Sequence, residues 1–223
     1  MSLVSRFVMT TGVSVGIGKS TVTAGLAAWA ASANVELELF DVEQIFSRDA
    51  FSDIGRAFRD RTYPTAEMML LGYASLISEL GPSRAVLFDW SCLSMVSDLP
   101  WAEGRPDVLL RHAVDVLELA RPLRPVLLNL VGDVEVAVAR AAAERGERWV
   151  RRHARLAAMG GVSSRMPLEA IAEWIKRQPY EALELEAFRE AGWPVWETDA
   201  MQPAEEVIDD VAIRLGIPQV EYR

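Results

Sequence analysis

The segment Thr11-Gly12-Val13-Ser14-Val15-Gly16-Ile17-Gly18-Lys19-Ser20-Thr21 constrains this chain more than any other. It follows the short apolar run Phe7 to Met9 and leads into a helix-like stretch from Thr21 to Ala33. A strand, a glycine-rich turn and a helix opening on Lys-Ser-Thr make a cradle for phosphate. Amides at a helix N-terminus attract anions, and the lysine adds a mobile positive charge. The usual spacing is Gly-x4-Gly-Lys-Ser/Thr, and the position of its first glycine is held by Val13. Gly12 gives Gly-x5-Gly-Lys-Ser instead, with Gly16 as an extra flexible point. The chain has 21 arginines but only two lysines, Lys19 and Lys176. A lysine at the motif position therefore points to a need for a compact ammonium on phosphates. The expected nucleotide contacts are Gly12, Val15, Gly16, Ile17, Gly18, Lys19, Ser20 and Thr21.

The rest of the chain alternates strand-like and helix-like segments. Strands are expected at Phe7 to Thr10, Val35 to Phe40, Ala85 to Phe88, Val126 to Leu130 and Pro194 to Trp196, with helices between them. Short apolar strands separated by helices imply right-handed crossovers and a mostly parallel sheet covered on both faces. The fold class is therefore α/β: a five-stranded parallel sheet between helical layers. The length of 223 residues suits one domain spanning 1–223. Ligands in such sheets gather at the carboxyl ends of the strands. The residues leaving those ends are the glycine loop, Asp41 and Glu43, Asp89, and the segment after Leu130.

Charge and composition narrow the function classes. The net charge of −9 argues against general nucleic-acid or anionic-membrane binding. No apolar run approaches the length of a membrane span, and no signal-peptide pattern opens the chain. A single cysteine, Cys92, rules out an intramolecular disulfide framework and fits a reducing cytoplasm. The two histidines and the cysteine are scattered, which argues against a zinc site.

Asp89 ends the apolar run Val86-Leu87-Phe88, where a carboxylate can hold Mg²⁺ beside the Ser20 hydroxyl. Asp41 or Glu43 can accept a proton from a substrate hydroxyl; the structural alternative is that Asp41 caps a helix and Glu43 is solvated. Between Arg140 and Arg155 there are six arginines against two acids. Following a helix that Gly146 ends, this stretch reads as a lid over residues 145–165, closing Arg148 and Arg152 over a transferring phosphoryl group. The alternative is a solvated arginine face. Gly12-Val13-Ser14-Val15-Gly16 also matches Gly-x-Ser-x-Gly, which would make Ser14 a hydrolase nucleophile with His112 or His153 as its base. A third option is a nucleotide-binding ATPase or regulatory module that transfers phosphate to no small molecule. The loop, the strand-end acids and the arginines together favour nucleotide-dependent phosphoryl transfer.

The chain resembles the P-loop kinases of the nucleoside and nucleotide kinase group, such as thymidylate kinase and the deoxynucleoside kinases. Shikimate kinase and chloramphenicol phosphotransferase share the broader pattern. The resemblance rests on Gly18-Lys19-Ser20-Thr21, Phe88-Asp89-Trp90-Ser91, Arg145-Gly146-Glu147-Arg148-Trp149, and Glu197-Thr198-Asp199-Ala200 with the tail from Pro203. It implies ATP and Mg²⁺ as cofactors, with Lys19 on the β- and γ-phosphates, Ser20 and Asp89 at the metal, and lid arginines at the transition state. It places a carboxylate after the second strand, Asp41 or Glu43, by the acceptor hydroxyl, and the tail after the last strand near adenine. The partner it implies is a small-molecule phosphoryl acceptor, and a homodimer stays open. Trp90 stands where these kinases carry an arginine, which leaves the acceptor open between nucleoside, nucleotide and another hydroxylated metabolite. The Gly-x5-Gly-Lys spacing also resembles dethiobiotin synthetase.

Overall fold

The computed structural model describes residues 3–81, 83–162 and 164–219. Strands β1 (Phe7–Gly12), β2 (Leu37–Phe40), β3 (Ala85–Phe88), β4 (Pro125–Val131) and β5 (Val195–Asp199) form one sheet in the order β2-β3-β1-β4-β5. Every pairing is parallel. Parallel neighbours cannot be joined by tight hairpins, and helices make the crossovers. Helix α1 (Lys19–Ser32) joins β1 to β2; α2 (Gln44–Ser47), α3 (Ser52–Arg59) and α4 (Ala66–Leu80) join β2 to β3. Helix α5 (Pro106–Leu119) leads to β4; α6 (Val134–Met159), α7 (Pro167–Lys176) and α8 (Tyr180–Glu190) lead to β5; α9 (Ala204–Leu215) follows it. Among the described residues no helix is long and apolar enough to cross a membrane.

Strand residues alternate between two cores, as the period of two requires. Phe7, Met9, Val86, Phe88 and Leu127 enter a core shared with α4, α5 and α8, where Phe88 meets Phe7 at 5.0 Å and Trp90 at 5.3 Å. Val8, Leu87, Val126, Leu128 and Leu130 enter the opposite core with Leu26 of α1 and Val211 of α9. Near the carboxyl ends the first face changes character. In the β1–β4 register Thr11 faces Asn129, and both are buried polar residues where apolar ones stood a turn of the pleat earlier.

The arginine-rich segment departs from the sequence expectation. Asp133 caps α6, its Oδ1 accepting from the Val136 amide at 3.0 Å, but the helix does not end at Gly146. It kinks there (φ 72°, ψ −172°), a conformation open to glycine, and continues to Met159. The continuation is held because Val138, Ala141 and Trp149 of α6 pack with Ile171 and Ala172 of α7 in a small separate core. What reads as a loop-like lid is thus largely a kinked helix backed by α7. Ser163, at the end of the proposed lid, lies outside the described residues, as do Met1, Ser2, Pro82 and residues 220–223.

His112 on α5 is buried against Trp101, ring centroids 5.2 Å apart, and neither ring nitrogen has a partner among the described residues. Burial pulls its pKa down from 6.5 to about 4. The folded pKa is the depressed one, so stability is lost as pH falls from 6.5 through 4. Unfolding titrations of the wild type should lose up to about 3 kcal/mol more across that window than His112→Phe does. Parallel curves would show that His112 does not titrate on unfolding.

Candidate nucleotide and phosphoryl-transfer site

The glycine loop is shaped by close contacts at Gly12 and Gly16 and by a left-handed backbone at Gly16 and Gly18. Gly12 is the last residue of β1, and a Cβ there would stand 2.7 Å from the Leu130 carbonyl oxygen. The first glycine of Gly-x5-Gly is therefore a sheet residue, and the turn proper begins at Val13. Gly16 (φ +85°) lies under α6, where a Cβ would come within 2.3 Å of the Ala137 carbonyl oxygen. Gly18 (φ +104°) opens α1, with nothing within 4 Å of its would-be Cβ. No side chain caps α1 and no acid sits in its first turn. Its leading amides are left for an external anion.

Three side chains from the first turns of α1 reach back to the loop and to the end of β3. The Lys19 Nζ donates to the Ser14 carbonyl at 3.0 Å, folded back along the loop. Burial lowers its pKa below the ordinary lysine value, opposed by the carboxylates of Glu184 and Asp89 and assisted by Arg145. Ser20 Oγ donates to Asp89 Oδ2 at 2.7 Å, and Thr23 Oγ1 lies 3.4 Å from Asp89 Oδ1. Parallel pairing of β1 with β3 is what brings the two chain segments level. A hydroxyl and a carboxylate oxygen side by side next to a lysine form a hard-oxygen pair suited to Mg²⁺. Among the described residues no group of three or more His, Cys, Asp or Glu can hold a metal alone, so the remaining ligands would be phosphate oxygens and water.

A cavity of about 620 Å³ runs along this loop from Val15 to Val22. One wall carries Arg140, Glu144 and Arg145 of α6, and the other is made by Met201, Gln202 and Pro203 after β5. Arg148 and Arg152 are placed beyond the Gly146 kink, exposed to solvent. Asp41 Oδ1 accepts from the amides of Glu43 (2.9 Å) and Gln44 (3.1 Å), closing the turn that leads into α2. Asp41, Glu43, Asp89 and Trp90 nevertheless line one cavity of about 430 Å³, so the three strand-end acids are brought together. Ser14 is placed otherwise than a nucleophile requires: its hydroxyl donates to the Val15 carbonyl at 2.8 Å. His112 packs on Trp101, His153 Nδ1 lies 2.9 Å from the Trp149 carbonyl, and among the described residues neither bonds Ser14. This geometry does not fit a nucleophile elbow.

Glu184 escapes the sequence reading. It sits on the buried stripe of α8 with Leu183, Ala187 and Phe188, is 2% exposed, and accepts a hydrogen bond from Thr11 Oγ1. Burial pushes its pKa up to about 8 against the pull of Thr11 and Lys19. Glu181, a turn earlier on the helix, is half-buried, and burial raises its pKa too. Both line a third cavity, of about 470 Å³, with Lys19, Ser94 and Tyr180. The signals in the sequence were polar Thr11 and Asn129 inside apolar strands, and a carboxylate at a position where helix periodicity calls for an apolar side chain.

Neither a protein-family model nor a curated protein matches the chain. Among solved structures it is similar to the YorR protein of Bacillus subtilis in complex with phosphorylated GDP, at TM-score 0.50 and 16% identity over 93% of this chain and 94% of that one. A gluconokinase from Sinorhizobium meliloti (TM-score 0.47, 17% identity, 97% and 94% covered) superposes more loosely. So does a shikimate kinase from Acinetobacter baumannii in complex with shikimate (0.46, 13%, 96% and 94%). At such identities what is shared is the fold, a five-stranded parallel sheet between helices.

Glu184 also makes a prediction. Its folded pKa is raised from 4.5 to about 8, so the stability it contributes is present below 4.5 and lost as pH rises through 8. Each tenfold difference in proton affinity between the folded and unfolded chain is worth about 1.4 kcal/mol. Glu184→Gln should therefore flatten the fall in unfolding free energy between roughly pH 5 and 9, by several kcal/mol at most. An unchanged slope would show that Glu184 is already ionised in the folded protein at neutral pH.

Proposed function

We propose that this chain transfers the γ-phosphoryl group of Mg-ATP to a hydroxyl group of a small molecule. The observation that carries the reading is the 2.7 Å bond between Ser20 and Asp89 at the mouth of an uncapped helix, beside Lys19. A structural glycine turn needs none of these three features. The leading amides of α1 would take the β-phosphate, and Lys19 would exchange its bond to the Ser14 carbonyl for phosphate oxygens. Ser20 and Asp89 would hold Mg²⁺, which when bound neutralises charge on the β- and γ-phosphates. The base and ribose fit the wall formed by Met201, Gln202 and Pro203. Arg140 and Arg145 border the same cavity, and their guanidinium groups suit the charge that develops on the transferring group. For these roles we favour them over Arg148 and Arg152, which would have to swing about the Gly146 kink.

In the transfer the acceptor oxygen bonds to the γ-phosphorus as the bond to the ADP oxygen breaks. ADP leaves with that electron pair, and the hydroxyl proton passes to a carboxylate. One Asp41 oxygen is occupied by the Glu43 and Gln44 amides, so the acceptor of the proton is its second oxygen or the exposed Glu43.

Phosphorylation from labelled ATP across a panel of hydroxylated metabolites tests the reading. Lys19→Ala and Arg145→Ala should each lower kcat/KM by about 100-fold or more for whichever acceptor is used. ATP binding and slow hydrolysis with no acceptor phosphorylated would point to a nucleotide-binding module instead. Full activity in Lys19→Ala would overturn the site itself.

A further inference from the structure

The acceptor's chemistry can be read from what surrounds the phosphoryl site, and the inference rests on the phosphotransferase reading above. In-line transfer needs the acceptor on the side of the γ-phosphate away from the leaving ADP. With the nucleotide along α1 and the tail after β5, two other cavities border Lys19 or Asp89. One reaches Lys19 and contains Glu181 and Glu184; the other contains Asp41, Glu43 and Asp89; and Ser94 lines both. Together they hold about the space of a small polar metabolite.

Their charge is one-sided. Five carboxylates line the pair, against Lys19 and Lys176. Lys19 is committed to phosphate, and Lys176 is paired with Glu135. No arginine lines either cavity, in a chain with 21 of them. Arg48, in the segment after β2, is bound to Glu38 and Glu79. A carboxylate or phosphate on the acceptor would meet no unengaged side-chain cation in either cavity and would add to the charge of the γ-phosphate and of Asp41, Glu43 and Glu181.

One polar group of the walls also lacks a partner among the described residues. Thr10, fully buried, lines the cavity of Glu184 and has no hydrogen-bond partner for its hydroxyl among the described residues. Glu184 is buried beside it with Thr11 as its side-chain donor. Tyr180 lines one cavity and Trp90 the other, and aromatic rings favour cations. We propose that the acceptor is an amino alcohol, a hydroxyl compound bearing a protonated amine, with the ammonium held by Glu181 and Glu184 and the hydroxyl presented toward Asp89. Glu181 is then a specificity residue. The phosphoryl group goes to the hydroxyl oxygen, as above, and the ammonium keeps its proton.

Matched probes differing only in charge test this: ethanolamine, ethylene glycol and glycolate, and glucosamine, glucose and gluconate. Phosphorylation from ATP and calorimetric binding to protein loaded with a non-hydrolysable ATP analogue are both measured. The amine of a set should exceed the neutral member by about tenfold in kcat/KM or affinity, and the acid by more. Glu181→Gln should erase most of the preference for the amine, and Ser94→Lys, which puts a cation where the cavities meet, should reverse it toward the acid. A preference of the wild type for the acids, equal use of amine and neutral probe, or binding of none of the amines would overturn the inference. So would an amine preference that both variants leave intact. Failure of the wild type to bind Mg-ATP at all would instead remove the phosphotransferase reading on which it stands.

Discussion

The N-terminus of α1 is the constraint on which the rest of the site depends. Four leading amides of any α-helix lack partners within it, and here a left-handed glycine stands where a capping side chain would be. The loop cannot supply the missing acceptors, because Gly12, Gly16 and Gly18 have no side chains and Ser14 bonds the neighbouring carbonyl. A bound anion would supply them. The lysine folded onto the Ser14 carbonyl and the serine hydroxyl on Asp89 are then groups parked on internal partners that a phosphate and its metal would replace.

The sheet turns this local property into a site. Because all five strands run the same way, the residues that leave their carboxyl ends collect on one edge, and β1 lies centrally between β3 and β4. Along β1 the side chains on the α8 face go from Phe7 and Met9 to Thr11, and the apolar core gives way to a polar pocket within one step of the pleat. Low-dielectric surroundings make the charges there matter more than their number suggests. Lys19 is held partly desolvated among carboxylates, and Glu184 stays in a setting that disfavours its charged form.

Much of the fold was legible from period and punctuation. β3 is bounded by Ala85 and Phe88 as the apolar run implies, α4 begins just after Thr65, whose hydroxyl accepts from the Met68 amide, and Gly81 ends it. The glycine turn between β1 and α1 and the place of Asp89 at the end of β3 were legible because local spacing encodes them. The course of α6 was not, since Gly146 is as compatible with a kink as with a stop, and the choice is made by Trp149 packing on α7, a contact distant in sequence. That same kink leaves Arg140 and Arg145 lining the cavity and carries Arg148 and Arg152 beyond it. Glu184 was only faintly marked for a similar reason: beyond polar Thr11 and Asn129 in apolar strands, it is the packing of α8 against β1 and β4 that turns a helical glutamate into a buried one. The Gly-x5-Gly spacing gains its explanation from Leu130, whose carbonyl forbids a side chain at residue 12.

The central claim is that Ser20 and Asp89 together hold the metal of a bound nucleotide. Calorimetric ATP affinity with and without Mg²⁺, in the wild type and in Asp89→Asn, tests it most directly. The account predicts tighter binding with Mg²⁺ in the wild type, by about tenfold or more, and loss of most of that gain in Asp89→Asn while metal-free ATP binds no worse. Equal Mg²⁺ gains in the two proteins, or none in the wild type, would contradict it.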